Sequence, residues 1–235
     1  MIADLFLVTY QRDYQWIPYL ARSIAKNVRG FRQMHVIIPV CGDLPDSVNI
    51  LRRAGMPVVG GVIQPWLNSY RGQPAAKLMA WQQCDADAIC YVDSDLLFVK
   101  PFTPESMLTN GKIRIEGLPW EQAGAARCWH DGTKALLREE PPYETMQRHP
   151  FMYLTQTIRR AYHHVGGEQG YMSVFNPSEF DLMGNYALLK EPDAYQFVPF
   201  DPHATQYDFL RTFWTHGGIT PAVEAELKAH GFWED

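Results

Sequence analysis

Asp93 and Asp95 stand two residues apart at the end of the apolar run Ile89-Cys90-Tyr91-Val92, and Leu96-Leu97-Phe98 follows them. The run reads as a buried strand that emerges into a tight turn. Carboxylate oxygens on such a turn suit a hard divalent cation, Mg²⁺ or Mn²⁺, whose remaining positions diphosphate oxygens can fill. A cation held there neutralises a nucleoside-diphosphate leaving group. The pattern D-x-D is short, and a solvated acidic turn carries the same residues. The elements around it decide between the two readings.

Those elements alternate. Asp4 to Thr9 reads as a strand, followed by a turn over Gln11 to Asp13. Ile17, Leu20, Ile24 and Val28 form one stripe of a helix. His35 to Val40 is a second strand, Ser47 to Ala54 a short helix ending at Gly55, and Val58 to Ile63 a third strand. Gln73 to Cys84 reads as a helix and Ile89 to Val92 as the fourth strand. This order predicts an α/β fold with a mostly parallel central sheet flanked by helices. Ligands of such sheets bind outside the carboxyl ends of the strands. Asp93 and Asp95 lie at one such end, and Tyr10 and Asp13 at another.

Beyond Pro104 the pattern loosens. Gly111 to Pro142 reads as irregular strands and loops, Phe151 to Val165 as a helix, and Tyr171 to Phe175 and Arg211 to Thr215 as short strands. Thr220 is a good N-cap for a last helix with Pro221 at its first position and Gly231 past its end. There is no repeat and no linker, so the chain reads as one domain.

Composition narrows the function. The 235 residues are 46% hydrophobic, enough for a substantial core. A net charge of −5 argues against a nonspecific nucleic-acid binder. The first residues, Ile2 to Val8, lack the basic-then-apolar pattern of a signal peptide, and no apolar stretch has the length of a membrane span. Cys41, Cys84, Cys90 and Cys128 form no C-x-x-C pair and no zinc spacing. The expectation is a cytoplasmic protein with reduced thiols.

Several segments resemble GT-A fold nucleotide-sugar glycosyltransferases, above all the glycogenin-like enzymes of glycosyltransferase family 8 and a set of bacterial glycosyltransferase-like domains. Ala76-Lys77-Leu78-Met79-Ala80-Trp81, then Ala88 to Phe98, then Lys100-Pro101-Phe102 resemble their lysine helix and D-x-D strand. Tyr70-Arg71-Gly72-Gln73 is similar to the approach to that helix. Gly167-Glu168-Gln169-Gly170 resembles the acidic-Gln-Gly segment, with Glu where glycogenin-like enzymes have Asp. Ser178 to Tyr186 resembles a segment of the bacterial domains, and Phe213-Trp214-Thr215-His216-Gly217-Gly218 the late strand that delivers a histidine ligand. No lysine follows Gly218 by two to four residues, which departs from the pattern at one diphosphate contact.

The resemblance implies residues 1–104 as the nucleotide-sugar-binding half and 105–235 as the acceptor-side half carrying the metal-binding histidine. Asp95 would coordinate the cation directly, with Asp93 sharing it or holding the donor ribose. His216 would be the third ligand, with His203 its rival; an imidazole favours Mn²⁺ over Mg²⁺. Lys77 would meet the diphosphate or donor sugar, or else extend to the surface from an apolar helix. Arg71 and Gln73 are donor contacts. Tyr10 can stack on the base and Asp13 accept from it, or the pair can form an ordinary capped turn. Glu179 and Glu168 are the candidate catalytic carboxylates. One would be a general base, or Glu168-Gln169 would steady a cationic centre on the donor's β-face; Glu179 next to Ser178 can equally belong to a helix cap.

The reading is a metal-dependent glycosyltransferase moving a sugar from a nucleoside-diphosphate donor, UDP first, to the hydroxyl of a glycan or small-molecule acceptor. A hydroxylated base in phage DNA is a further acceptor that the negative charge disfavours. Two rivals are a nucleotidyltransferase, which Tyr10-Gln11-Arg12-Asp13 opposes by lacking glycine, and a non-catalytic nucleotide- or carbohydrate-binding module.

Overall fold

The computed structural model describes residues 1–39, 46–63, 72–201, 207–213 and 218–233. In chain order the first half runs β1 (Ala3–Val8), α1 (Ile17–Asn27), β2 (Met34–Pro39), α2 (Asn49–Arg53), β3 (Val58–Ile63), α3 (Gly72–Leu78), β4 (Ala88–Val92) and β5 (Leu96–Phe98). Then come β6 (Leu108–Thr109), β7 (Lys112–Gly117), α4 (His130–Leu137), β8 (Phe151–Leu154), α5 (Thr155–His164), α6 (Gly167–Ser173), α7 (Glu179–Lys190), β9 (Tyr195–Pro199), β10 (Leu210–Thr212) and α8 (Pro221–Ala229).

The central sheet has the order β3-β2-β1-β4-β8. Its first four strands are parallel, and β8 closes the edge antiparallel to β4. Every residue of β1 and of β4 is buried, as expected of strands covered on both faces. The chain builds outward from β1 to β3 and then returns to lay β4 on the other side of β1. That reversal opens a crevice between the carboxyl ends of β1 and β4.

At the opposite end of β1 the buried Asp4 is held by Arg32 at 3.0 and 2.7 Å, by Gln33 at 3.1 Å, by His35 at 2.9 Å and by the Cys84 thiol at 3.2 Å. Burial alone would raise this carboxyl, and these donors outweigh it and hold it well below the ordinary carboxylate range. The network ties β1, β2 and the segment before β4 together. The ligand atoms of Asp4, His35 and Cys84 lie within 4.8 Å of one another, and here His35 and Cys84 meet Asp4 Oδ2 through hydrogen bonds.

Two expected elements differ. Phe151 to Leu154 is a strand, and the helix begins only at Thr155. Phe151, Leu154 and Ile158 fit a helical stripe as well as they fit a buried strand. The open edge of β4 settles the choice, because its hydrogen-bonding groups need a partner. Tyr171 to Phe175 is not a strand: residues 167–173 form α6, with Tyr171 turned inward at 2% exposure and Phe175 left 80% exposed beyond its end. The region read as irregular contains β7, which pairs in parallel with β9, and α4. At the carboxyl end Thr220 caps α8 by accepting from the Val223 amide.

Candidate active site

The small residues Ala75 and Ala76 let α3 sit close on the sheet, and they carry Lys77 into the interior with them. Its side chain is 4% exposed. The hydroxyl of Tyr91 on β4 donates to the Lys77 carbonyl at 2.8 Å, which fixes the end of α3 against the sheet. The Lys77 ammonium lies 3.1 Å from Asp93 Oδ1 and 3.2 Å from Glu179 Oε1, and 4.6 Å from the centroid of the Phe180 ring. The contact with Asp93 is a close ion pair whose angles fall short of a hydrogen bond. Burial by itself would discharge the amine. The two carboxylates outweigh that and raise its affinity for the proton.

Asp93 has a second close neighbour. His149 Nε2 lies 2.8 Å from Asp93 Oδ2. Burial pushes the Asp93 carboxyl up, but His149 and Lys77 together hold it well below the ordinary range. His149 is missing from the residues the sequence suggested, because Phe151 to Leu154 was expected to be helical. In the observed register Tyr91 faces Phe151. Carrying that antiparallel register two residues further sets His149 opposite Asp93, so a correct strand assignment would have found it.

Asp95 differs from its neighbour. Among the described residues no cation stands within ion-pair distance of it. Burial and then the negative charge of Asp93 raise its carboxyl to about 6, with Asp13 adding to the push and His149 opposing it. Asp13, on a single 3-10 turn after β1, is raised first by burial and also by Asp93, against the pull of Arg12. Tyr10 precedes that turn, half-buried, with its phenol raised to about 12 mainly by burial and drawn down by Lys77. Gln73 reaches the carbonyl of Val8 at 3.4 Å. The hydroxyls of Thr9 and Ser94 meet at 2.8 Å and clasp the ends of β1 and the acidic turn.

Tyr10, Asp13, Gln73, Lys77, Asp93, Asp95 and Glu179 are thus brought to one crevice. Glu179 opens α7 behind Ser178, whose hydroxyl accepts from the Asp181 amide, so Ser178 and not Glu179 is the cap. Glu168 and Gln169 ride on α6, which packs on α3. There Glu168 is half-buried and Gln169 exposed. Arg71, His216 and the rival His203 lie outside the described residues. The late strand does reach the site: β10 pairs antiparallel with β5, and the Phe213 amide donates to the Asp95 carbonyl at 2.9 Å. His163 and His164 diverge on α5, one ring against Trp81 and the other bonded to the Leu137 carbonyl. Trp120 is buried and Trp129 half-buried; Trp66 and Trp214 lie outside the described residues.

The donor set fits a hard divalent cation. Asp95 offers carboxylate oxygens of the kind such an ion takes, and the negative charge of Asp93 and Asp13 that acts on it is what the ion would relieve.

The fold and crevice define a GT-A-like α/β protein. A crystal structure of an active-site mutant of LgtC, a family 8 glycosyltransferase with the GT-A fold, matches 83% of this chain and 72% of its own, with a TM-score of 0.52 and 14% identity. At that identity the likeness establishes the fold. No family profile matches the chain, and no curated protein matches it in sequence. Among the described residues no helix is long and apolar enough to cross a membrane.

Proposed function

We propose that the chain is a glycosyltransferase that moves a sugar from a nucleoside-diphosphate donor, with UDP the first candidate, to an acceptor hydroxyl. The observation that carries this reading is the meeting of Asp93, Asp95 and Lys77 at the β1/β4 crevice of a GT-A-like fold. A divalent cation on the acidic turn, Mn²⁺ before Mg²⁺ if His216 joins it, would stabilise the departing diphosphate. Because Phe213 is bonded to the Asp95 backbone, the chain passes the turn three residues before His216, which supports its candidacy.

Lys77 would act mainly on the wall of the crevice. It holds Asp93 and Glu179 in place and projects positive charge toward the diphosphate. Tyr10 and Asp13 would receive the base, with Gln73 and Arg71 near the donor. Glu179 is 5% exposed and paired with Lys77, which favours Glu168, the less buried of the two acids, as the group acting on the acceptor. Gln169 beside it is our candidate for the donor's β-face. The LgtC mutant replaces an active-site glutamine by glutamate. The acceptor would be a glycan or small molecule.

A panel of nucleotide-sugars incubated with Mn²⁺ tests the reading. Donor hydrolysis or transfer that Asp95→Ala abolishes is the expected result. Binding without turnover across all donors would instead support a non-catalytic module, and pyrophosphate release from a nucleoside triphosphate would support a nucleotidyltransferase.

A further inference from the structure

Helix α5 turns Thr157, Ile158 and Ala161 into the core. Gln156, Arg159, Arg160, His163 and His164 recur at three- and four-residue spacing and so share its outer face. With Tyr186 of α7 they line a groove of about 520 Å³, the size of a small-molecule site. Every side chain of this lining can donate a hydrogen bond, and none is a carboxylate.

The positive charge here is not balanced in the ordinary way. Surface helices gain support from acids set three or four residues from their bases, and α5 has no Asp or Glu. The helix dipole accounts for imidazoles in the last turn, but not for two guanidiniums in the middle. Arg160 is paired with Glu191 Oε1 at 3.0 Å; that carboxylate is 12% exposed and takes the Thr157 hydroxyl on its other oxygen. Arg159 has no ion pair among the described residues. Its guanidinium lies 5.3 Å from the centroid of the Trp81 ring, a contact that holds the side chain and leaves its N–H donors for a ligand. His163 packs on the same indole at 5.4 Å, and neither of its nitrogens has a hydrogen bond among the described residues. His164 Nε2 donates to the Leu137 carbonyl at 3.0 Å, which orients the ring and leaves Nδ1 for a ligand.

We propose that this groove is a second binding site, for a phosphate dianion, either free or carried as the monoester of a sugar-sized molecule. Guanidinium groups match phosphate oxygens in both geometry and charge. Two of them stand here among imidazole, amide and phenol donors, in a groove larger than a bare phosphate fills. The site is apart from the crevice, because Tyr186 stands seven residues along α7 from Glu179, about 10 Å of helix. The inference therefore goes beyond the transferase reading and does not depend on it.

Calorimetric titration of the full chain with inorganic phosphate, glucose 6-phosphate and glucose tests it, with nucleotide and divalent cations left out. The expected result is saturable binding of phosphate or its ester and none of glucose. Inorganic phosphate binding as tightly as the ester, or tighter, assigns the site to the free ion; an ester that binds at least fivefold tighter assigns it to a monoester. Arg159→Gln weakens binding at least fivefold. Gln156→Glu, which sets a carboxylate in the groove at an exposed position, weakens it at least tenfold with thermal melting unchanged. Absence of saturable binding by either phosphate overturns the inference. Glucose binding as tightly as its phosphate overturns it too, as does binding that either variant leaves unchanged.

Discussion

Lys77 decides what the crevice wall can be. An ammonium 4% exposed is tolerable only because Asp93 and Glu179 stand at 3.1 and 3.2 Å. Breaking a buried pair by removing one partner leaves uncompensated charge, at a cost of about 3–5 kcal/mol. Lys77→Met should therefore lower stability by about that amount in urea unfolding, besides removing positive charge from the proposed donor site. A change below about 1 kcal/mol would mean that water reaches the pair. Asp95→Asn should behave in the opposite way. Its carboxyl is raised to about 6 by burial and by the charge of Asp93, so the fold holds it against its preference. Removing that charge should leave the melting temperature unchanged or higher while turnover is lost. At this scale the sequence was informative about residue types. The D-x-D pair and the lone lysine among alanines stood out. His149 did not, because only pairing across strands brings it to Asp93.

Among elements, the segment from Tyr143 to His149 is strapped onto α7. Asn185 accepts from the Tyr143 amide at 3.1 Å and donates to its carbonyl at 2.7 Å, and Asp181 Oδ1 accepts from the Thr145 amide at 2.6 Å. Gly184 permits the close approach: a methyl there would stand 2.4 Å from Thr145 Oγ1 and 2.9 Å from its Cβ. Gly184→Ala should displace the strap that carries His149, costing about 1–3 kcal/mol of stability and reducing turnover; an unchanged kcat would detach the strap from catalysis.

The same contact buries two acids, Glu144 and Asp181, each with one oxygen lacking a partner. Burial raises both, and the charge of Asp181 raises Glu144 further. Groups raised on folding contribute fully below the unfolded carboxylate value, about 4, and lose that contribution as pH climbs toward neutrality. Stability should therefore decline from about pH 4 to 8, and Asp181→Asn should flatten that decline in melting curves across pH. An equally steep decline in the variant would place its source elsewhere. Element boundaries in this half were the least legible part of the sequence. Phe151 to Leu154 satisfies two periodicities at once, and Tyr171 to Phe175 looks strand-like although only Tyr171 is buried. The Ser178 and Thr220 caps were readable because a cap is a local event.

For the whole molecule, the order β3-β2-β1-β4-β8 places the reversal of strand order between β1 and β4. The first-half alternation of strands and helices announced that sheet, since parallel pairing demands crossovers and buried strands demand apolar runs. The antiparallel fifth strand and the small sheet of β7 and β9 were hidden, because their partners are distant in sequence. A ligand that binds only the folded chain raises its apparent stability. If the proposed function holds, UDP with Mn²⁺ should raise the melting temperature more than either alone, since diphosphate oxygens would complete the coordination that Asp95 would begin. Equal shifts with and without Mn²⁺ would point to a nucleotide site independent of the cation.

The central claim is that a divalent cation at the turn after β4 joins the protein to a nucleoside diphosphate. Anomalous diffraction from a crystal grown with Mn²⁺ and UDP addresses it most directly. The account predicts one strong peak about 2.0–2.6 Å from an Asp95 oxygen, bridged to the UDP phosphates. A crevice that binds UDP with no peak beside Asp95, or a peak at a different cluster, would contradict it.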